Sequence, residues 1–251
     1  MPYEILVVGG DDFSLFTWSR LALRFCQQFL ELTDCEYAKG NAQACIVGKT
    51  PICYGVGCLI SDEKAPAYRV VEFTEGNLLK FAKRGVKAHR HGTLAFLFTT
   101  NADQIPSDYK AHLRRNYCRY GRPSKAQTQP VPIYLTMQPL TAPELDALLQ
   151  CAADLQNELG SLQRLAEPFV RQPIEAALLH FVYQRARAEK SPNTNPFFKS
   201  ILSLQTKNGA GASVPLFPAQ TLQRITPESD QPTQALFAPI LDLLEIVKSL
   251  R

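Results

Sequence analysis

The pattern of hydrophobic and polar residues predicts a β-hairpin followed by a helix at the start of the chain. Residues 3–8 are rich in β-branched side chains, residues 9–12 read Gly-Gly-Asp-Asp, and residues 13–16 alternate. This is the pattern of two strands joined by a tight turn. Four apolar residues then repeat at helical spacing and predict a helix whose apolar stripe covers one face of a sheet: Trp18, Leu21, Phe25 and Phe29.

A strand, a helix and another strand are predicted before residue 100. Residues 51–60 predict a strand in which two glycines leave one face without side chains, as happens where a ligand or another backbone approaches closely. A helix over about 67–84, ending at Gly85, and a strand over 93–98 follow. Hairpins and helices mixed in this order predict an α+β fold, an antiparallel sheet with helices on one face.

The second half of the chain has a different pattern. A polar stretch follows the strand at 93–98, and Leu-rich helical periods come after it. We therefore predict three parts: an α+β part at 1–100, a basic connector at 101–134 and an all-helical part at 135–251.

Capping signals place the helices of the third part. The run Thr141-Ala142-Pro143-Glu144 is a capping box that begins one helix, and Gly160 is its predicted stop. A second helix is predicted to begin near Pro173, and the last one over about 234–250.

Composition is typical of a globular protein. The 251 residues are 45% hydrophobic and 20% charged, which excludes disordered and collagen-like chains. No stretch of about 18 apolar residues and no basic leader occurs, so neither a membrane span nor a secretory signal is predicted. The seven cysteines are an odd number without a CxxC pair, which favours reduced thiols in a cytoplasmic protein.

Positive charge is concentrated in one segment. Residues 83–125 contain ten basic and two acidic residues, whereas the net charge of the whole chain is +4. Such a segment is either a binding surface for a polyanion such as RNA or nucleotide phosphate, or a solvated connector. Its candidate RNA-binding residues are Arg114, Arg115, Arg119 and Arg122. Three tyrosines interleave with them and either stack on bases or pack beneath the connector; the sequence leaves both readings open. These are Tyr109, Tyr117 and Tyr120.

The Gly-Gly-Asp-Asp turn is the densest chemical signal. Asp11 and Asp12 place two carboxylates at the tip of a hairpin, and carboxylate oxygens are the ligands that Mg²⁺ and Mn²⁺ prefer. Gly9 and Gly10 allow the backbone to come close to a triphosphate. In phosphoryl transfer, paired carboxylates hold the cations that activate the attacking hydroxyl and neutralise the leaving group. The same tetrapeptide also occurs in plain hairpin turns.

The context of this turn resembles a known family. The hairpin, its helix, the strand with Gly55-Val56-Gly57 and the helix containing Leu79-Lys80-Phe81-Ala82-Lys83-Arg84 resemble the second half of the palm in the GGDEF/GGDD nucleotide cyclase superfamily. Among its branches, the large subunit of type III CRISPR effector complexes is the better match. It shares the GGDD form, a segment similar to residues 58–69, and a helical domain similar in kind to residues 135–251.

The resemblance implies a fold and a function. The fold is a partial ferredoxin-like palm followed by an all-α domain, and the activity is the synthesis of cyclic oligoadenylate from ATP with two Mg²⁺ or Mn²⁺ ions. Asp11 and Asp12 would be the catalytic, metal-binding residues. Gly9, Gly10, Lys83 and Arg84 would bind the nucleotide, although cations near a helix end also stabilise the helix by themselves.

The resemblance also implies partners. They are the other subunits of the effector, guide RNA and target RNA. A complete palm opens with a strand and a helix before the hairpin, and that strand supplies a further carboxylate, whereas only eight residues precede Gly9. We therefore expect another chain to supply the first half of the palm. Two alternatives stay open: a non-catalytic scaffold of the same ribonucleoprotein, and a degenerate diguanylate cyclase or cyclic-dinucleotide-binding module.

A metal site at two histidines is less favoured. His89 and His91 have no third ligand at a suitable spacing, so we expect them to face solvent or RNA.

Overall fold

The structure is a computed structural model. It describes residues 3–9, 12–33, 46–47, 50–51, 53–121, 132–189, 221–229 and 231–250.

The described strands are, in chain order, β1 (Tyr3–Gly9), β2 (Asp12–Thr17), β3 (Ile46–Val47), β4 (Thr50–Pro51), β5 (Gly55–Ile60), β6 (Thr93–Phe98), β7 (Cys118–Tyr120), β8 (Pro132–Tyr134), β9 (Leu140–Thr141), β10 (Thr221–Arg224) and β11 (Thr233–Phe237). The described α-helices are α1 (Ser19–Thr33), α2 (Ala67–Phe73), α3 (Lys80–His89), α4 (Tyr109–Tyr117), α5 (Ala142–Asp154), α6 (Leu159–Arg171), α7 (Ile174–Glu189) and α8 (Ile240–Ser249). A π-helical turn (Thr74–Leu79) joins α2 to α3, and short 3₁₀ turns lie at Ala102–Gln104 and Gln156–Glu158.

The predicted hairpin is confirmed. Strands β1 and β2 pair antiparallel, with Gly9 opposite Asp12, so two residues make the turn. The helix that follows is also confirmed, but the predicted core face of α1 is wrong. Its buried side chains include Leu23, Cys26 and Leu30, whereas Trp18 on the predicted stripe is 67% exposed.

The central sheet has the order β5-β6-β9. Strands β5 and β6 are parallel and β9 is antiparallel to β6, so the predicted antiparallel sheet is corrected to a mixed one. The reason is the connection: a helical crossover between β5 and β6 returns the chain in the same direction.

Helices cover both faces of this sheet, not one face as predicted. A Cβ atom at Gly57 would lie 2.8 Å from the backbone nitrogen of Leu79, so this face lies against the turn between α2 and α3. The next residue, Cys58, lies beside Cys26 of α1 and raises the pKa of that thiol. Because successive residues of a strand point to opposite faces, α1 covers the other face.

The helix predicted to end at Gly85 continues to His89. Arg90 terminates it in the left-handed conformation, with φ of 57°, and its N–H donates to the carbonyl of Val86 at 2.8 Å. Gly85 lies inside the helix, where a Cβ atom would come within 2.5 Å of Pro139 Cγ. This glycine therefore serves close packing rather than termination.

A second sheet changes the expected organisation of the later residues. It has the order β10-β11-β8-β7, with β11 parallel to β8 and the other pairs antiparallel. The part predicted to be all-helical therefore contains strands, and the connector predicted at 101–134 contributes α4, β7 and β8. The predicted helix over 234–250 begins only at Ile240, because residues 233–237 alternate between buried and half-exposed side chains as a strand does.

The capping box at α5 is confirmed. The backbone N–H of Thr141 donates to Glu144 Oε2 at 2.8 Å. The predicted stop at Gly160 is wrong, since α5 ends at Asp154 and Gly160 lies within α6. The helix predicted near Pro173 is confirmed by α7.

One continuous hydrophobic core joins these elements. It contains Leu23 of α1, Phe96 of β6, Leu145 of α5 and Ile246 of α8, all buried. Within the described part of the chain, no helix combines the length and the apolar character that crossing a membrane requires.

Candidate functional site

The Gly-Gly-Asp-Asp turn lies at the tip of the β1-β2 hairpin. Gly9 closes β1 and Asp12 opens β2. Gly10, Asp11 and the side chain of Asp12 lie outside the described residues, so the positions of the two carboxylates stay a prediction.

A cavity of about 590 Å³ lies beside β2. It is bounded by β2, α1, β5 and the α2–α3 helix, and residues 13–17 and 53–59 line it without a break. Aromatic rings form much of the wall beside the hairpin. The ring of Phe29 lies edge-on to Phe13 at 5.0 Å and to Tyr54 at 5.5 Å between centroids. The hairpin and the glycine-containing strand therefore share one concave site.

The two glycines of β5 have an observed structural role. A Cβ atom at Gly55 would lie 2.9 Å from the backbone nitrogen of Lys83. At Gly57 it would meet the backbone of Leu79. The sequence left open whether a ligand or another backbone approaches these glycines, and the structure places the α2–α3 helix there. Both glycines also line the cavity.

The side chains of Lys83 and Arg84 have different surroundings in this structure. Lys83 lines the cavity with Lys87, one turn further along α3. Arg84 instead donates from Nη2 to the carbonyl oxygens of Thr226, at 3.3 Å, and Ser229. Of the four predicted nucleotide-binding residues, these two lie in the middle of α3 rather than at its end, and one of them lines the cavity.

Two charged residues of the cavity were missed by the sequence reasoning. Glu75 lines it and accepts a hydrogen bond from Ser14 Oγ at 3.4 Å. Lys87 lines it four residues after Lys83. The signal that would have found Lys87 is this spacing, which brings the two cations to one side of a helix.

The predicted RNA-binding arginines are divided between structural and exposed positions. Arg114 donates to the carbonyl of Pro227 at 3.2 Å. Arg119 donates to the carbonyls of Phe169 at 3.1 Å and Val170 at 3.3 Å, which satisfies the C-terminal end of α6. Arg115 is exposed, and Arg122 lies outside the described residues.

The three tyrosines also divide. Tyr109 and Tyr117 are buried in the core, whereas Tyr120 is exposed. Of the two readings that the sequence left open, packing beneath the connector therefore holds for Tyr109 and Tyr117.

A cluster of buried polar side chains, which the sequence did not predict, lies against the central sheet beside β6. Tyr109 donates from its hydroxyl to Gln138 Oε1 at 2.7 Å, and Gln138 Nε2 donates to Asp242 Oδ1 at 3.1 Å. Asp242 also accepts from Thr136 Oγ1 and from the backbone N–H of Met137, each at 2.7 Å. Burial raises the pKa of Asp242 to about 6, against the opposing effect of these hydrogen bonds.

A buried ion pair extends this cluster. Arg224 binds both carboxylate oxygens of Glu144 and donates to the carbonyl of Pro139 at 2.8 Å. Burial raises the pKa of Glu144, but the Arg224 charge and hydrogen bonds to Arg224 and Thr141 outweigh it and leave the pKa lowered. Burial and then the Arg224 charge lower the pKa of His89.

Another buried carboxylate belongs to Glu245. The hydroxyl of Tyr117 donates to its Oε1, while Oε2 is buried without a hydrogen bond to the described residues. Burial raises the pKa of Glu245 to about 8.

Across the described residues, no three side chains of His, Cys, Asp or Glu come together to hold a metal ion. His89 and His91 are half-buried, not solvent-facing as expected.

Comparison of the chain with protein-family models, curated proteins and solved structures finds no match.

Proposed function

We propose that this chain is a subunit of a type III CRISPR RNA-guided effector and acts, once completed by another chain, as a palm-type nucleotidyl cyclase that makes cyclic oligoadenylate from ATP. The observation that supports this most is the cavity beside the hairpin. Residues that follow the Gly-Gly-Asp-Asp turn, the Gly-Val-Gly strand and the cations of α3 all line it. These are three of the parts on which the resemblance depends.

The cations at the border of the cavity suit a nucleoside triphosphate. Lys83 and Lys87 lie on α3 with exposed side chains, and cations at a concave site concentrate anionic ligands. The triphosphate would thus lie along the exposed side of α3 rather than in the space between β2 and β5.

The donor chemistry of the turn fits divalent metal ions. Asp11 and Asp12 would hold Mg²⁺ or Mn²⁺, since carboxylate oxygens are the ligands these ions take. When bound, such ions activate the attacking 3′-hydroxyl of one ATP and neutralise charge on the pyrophosphate that leaves the α-phosphate of another.

A non-catalytic scaffold in the same complex is the second candidate. The exposed apolar side chains of the hairpin favour it, because such surface is typical of a docking site.

Labelled nucleotides test these functions. The chain is incubated with ATP or GTP and Mn²⁺, alone and with the protein encoded beside its gene, and the products are separated by chromatography. Cyclic oligoadenylate from the mixture is expected. Products from GTP would support the diguanylate cyclase alternative, and no product under any condition would support the scaffold.

Substitution of the turn sharpens the test. We expect the double variant D11N/D12N to lower product formation at least about 100-fold, since it removes both metal-binding carboxylates. The matched control is D62N/E63Q, which neutralises another pair of adjacent acidic residues, exposed after β5. Full activity in D11N/D12N would overturn the metal assignment.

A further inference from the structure

Two strands present open edges to the same cavity. Among the described residues, β5 pairs only with β6, and β2 pairs only with β1. A strand that faces a cavity with one of its faces lines it with alternate residues, because successive side chains point to opposite sides. Residues 13–17 and 53–59 line the cavity consecutively. Both strands therefore turn their edges towards it.

The hydrogen bonds of β5 identify the groups on its open edge. The carbonyls of Tyr54 and Ile60 accept from Thr93 and Thr99, so the even-numbered residues of β5 bond towards β6. Backbone groups alternate in direction along a strand. The N–H and C=O groups of the odd-numbered residues, which are Gly55, Gly57 and Leu59, therefore point towards the cavity.

Among the described residues, neither β5 nor the part of β2 that lines the cavity contains a charged residue or a proline, and the register shift of the hairpin lies in β1, between Ile5 and Val7. Natural edge strands are blunted by charged residues, proline, bulges or a covering segment. Strand β5 reads Gly-Val-Gly-Cys-Leu-Ile, and the residues of β2 that line the cavity read Phe-Ser-Leu-Phe-Thr. The walls of the cavity are α1 on one side and the α2–α3 helix on the other.

The hairpin is apolar on both faces and yet exposed. Ile5, Leu6 and Val8 are 56%, 39% and 75% exposed. On β2, where the register is regular, the successive apolar residues Leu15 and Phe16 point to opposite faces. Strands that are apolar on both faces belong inside covered sheets, and a two-stranded hairpin alone is only marginally stable. The hairpin thus has the composition of an internal part of a larger sheet.

We propose that the cavity is a slot for one extended strand donated by a partner polypeptide, which pairs with β2 on one side and with β5 on the other. The result is a continuous sheet of the order β1-β2-partner-β5-β6-β9. This inference deepens the proposed function, on which its choice of partner rests, by assigning the element with which the completing chain docks.

The cavity and one strand are of the same order of size. A strand of five residues is about 17 Å long, occupies about 4.8 Å of sheet width and, with side chains on both faces, is about 10 Å deep, on the order of 800 Å³. The cavity measures about 590 Å³.

The walls also define the chemistry of the partner strand. Apolar residues of α1 and α2, such as Phe29 and Val70, line the cavity, so the strand should be a run of four to six apolar residues. Lys87 also lines the cavity on the α2–α3 wall, and one acidic residue within the apolar run would face it.

Residue-resolved hydrogen exchange tests the slot. The probe is a synthetic peptide, Gly-Val-Ile-Val-Asp-Ile-Val-Gly, added to the full chain. We expect the amides of Gly57 and Leu59 to exchange at least tenfold more slowly with the peptide, because they gain hydrogen-bond acceptors. The amides of Val56 and Cys58, which already bond towards β6, are the internal control.

A matched peptide separates strand pairing from general adhesion. The same sequence, N-methylated at alternate residues, keeps its side chains but loses the N–H groups of one edge, and it should give no protection. Equal protection by both peptides, or none by either, would overturn the proposal. Because the readout is exchange, protection without any nucleotide product would refute the cyclase and leave the slot intact.

Other occupants give distinct results in the same experiment. Protection of Gly57 and Leu59 without peptide, rising with protein concentration, would assign the slot to a second copy of this chain. Protection without peptide at every concentration would assign it to a segment of the same chain. Either result would overturn the proposed partner strand.

Discussion

The hairpin region (β1, β2 and Trp18) exposes apolar side chains, whereas the Arg224–Asp242 cluster, which is the buried polar cluster together with the Arg224–Glu144 ion pair, buries polar ones. At the hairpin, apolar side chains such as Val8 and Trp18 lie at the surface. In the cluster, charged and polar groups lie in the interior, and both carboxylate oxygens of Glu144 and of Asp242 accept hydrogen bonds. Each region departs from the usual rule that apolar groups are inside and polar groups outside.

The difference shows where this chain is self-sufficient. A buried polar group is tolerated when its partners are present, and most polar atoms of the cluster find them within the chain, although Arg224 Nε has none among the described residues. Exposed apolar surface forgoes about 25 cal/mol of stabilisation for each Å² left in water, which only a partner can recover. We infer that the cluster specifies the fold of the isolated chain, whereas the hairpin region needs another molecule to bury its apolar side chains.

The largest expected effect breaks the cluster. The variant R224M should lose about 3–5 kcal/mol of unfolding free energy, because it leaves Glu144 charged, buried and without its ion pair. Urea unfolding followed by circular dichroism measures this loss. The control R171M removes an exposed pair with Glu167 and should change stability by less than about 0.5 kcal/mol. Equal losses in both variants would contradict the assigned role of the cluster.

A smaller effect concerns the pH dependence of stability. The pKa of Glu245 is about 8 in the folded chain and near 4.3 in an unfolded one. Between these values the folded state binds more protons, so stability should fall as pH rises from about 4 to 8.

The variant E245Q removes this dependence, because its amide stays neutral and can still accept from Tyr117. At pH 8.5 it should be more stable than the natural chain by at least about 2 kcal/mol in urea unfolding. The control D154N changes an exposed carboxylate and should leave the pH profile unchanged. A remaining slope below pH 6 in E245Q is expected from Asp242, whereas an unchanged slope up to pH 8 would refute the prediction.

The two regions also differ in how far the sequence predicts them. The hairpin and the strand β6 follow from short-range patterns, since a turn signal and alternation over a few residues suffice. The cluster does not, because Gln138 and Asp242 are 104 positions apart and only the fold joins them. The candidate site is partly predictable. The sequence identifies its Gly-Gly-Asp-Asp turn and the glycines of β5, but it does not show which cations line the cavity.

The errors share a physical cause, which is tertiary packing that overrides a local signal. Gly85 has the sequence of a helix stop, but its missing side chain lets α3 approach Pro139. In α1, apolar residues occupy more than one stripe, and only contact with α5 and β5 decides that Leu23 and Cys26 are the buried ones.

The smallest expected effect tests whether the hairpin belongs to the self-sufficient part of the chain. The variant I5T should change unfolding free energy by less than about 0.5 kcal/mol, because Ile5 is already largely in water. The control I240T makes the same substitution at a fully buried position. It should lower the unfolding free energy by about 2 kcal/mol or more, since it buries a hydroxyl for which the core provides no hydrogen-bond partner. Urea unfolding of both variants gives the comparison directly.

If I5T were as damaging as I240T, the hairpin would already be part of the core. If it is nearly silent in the isolated chain, the apolar residues of the hairpin are not explained by the stability of that chain, and binding to a partner is the remaining reason for their chemistry.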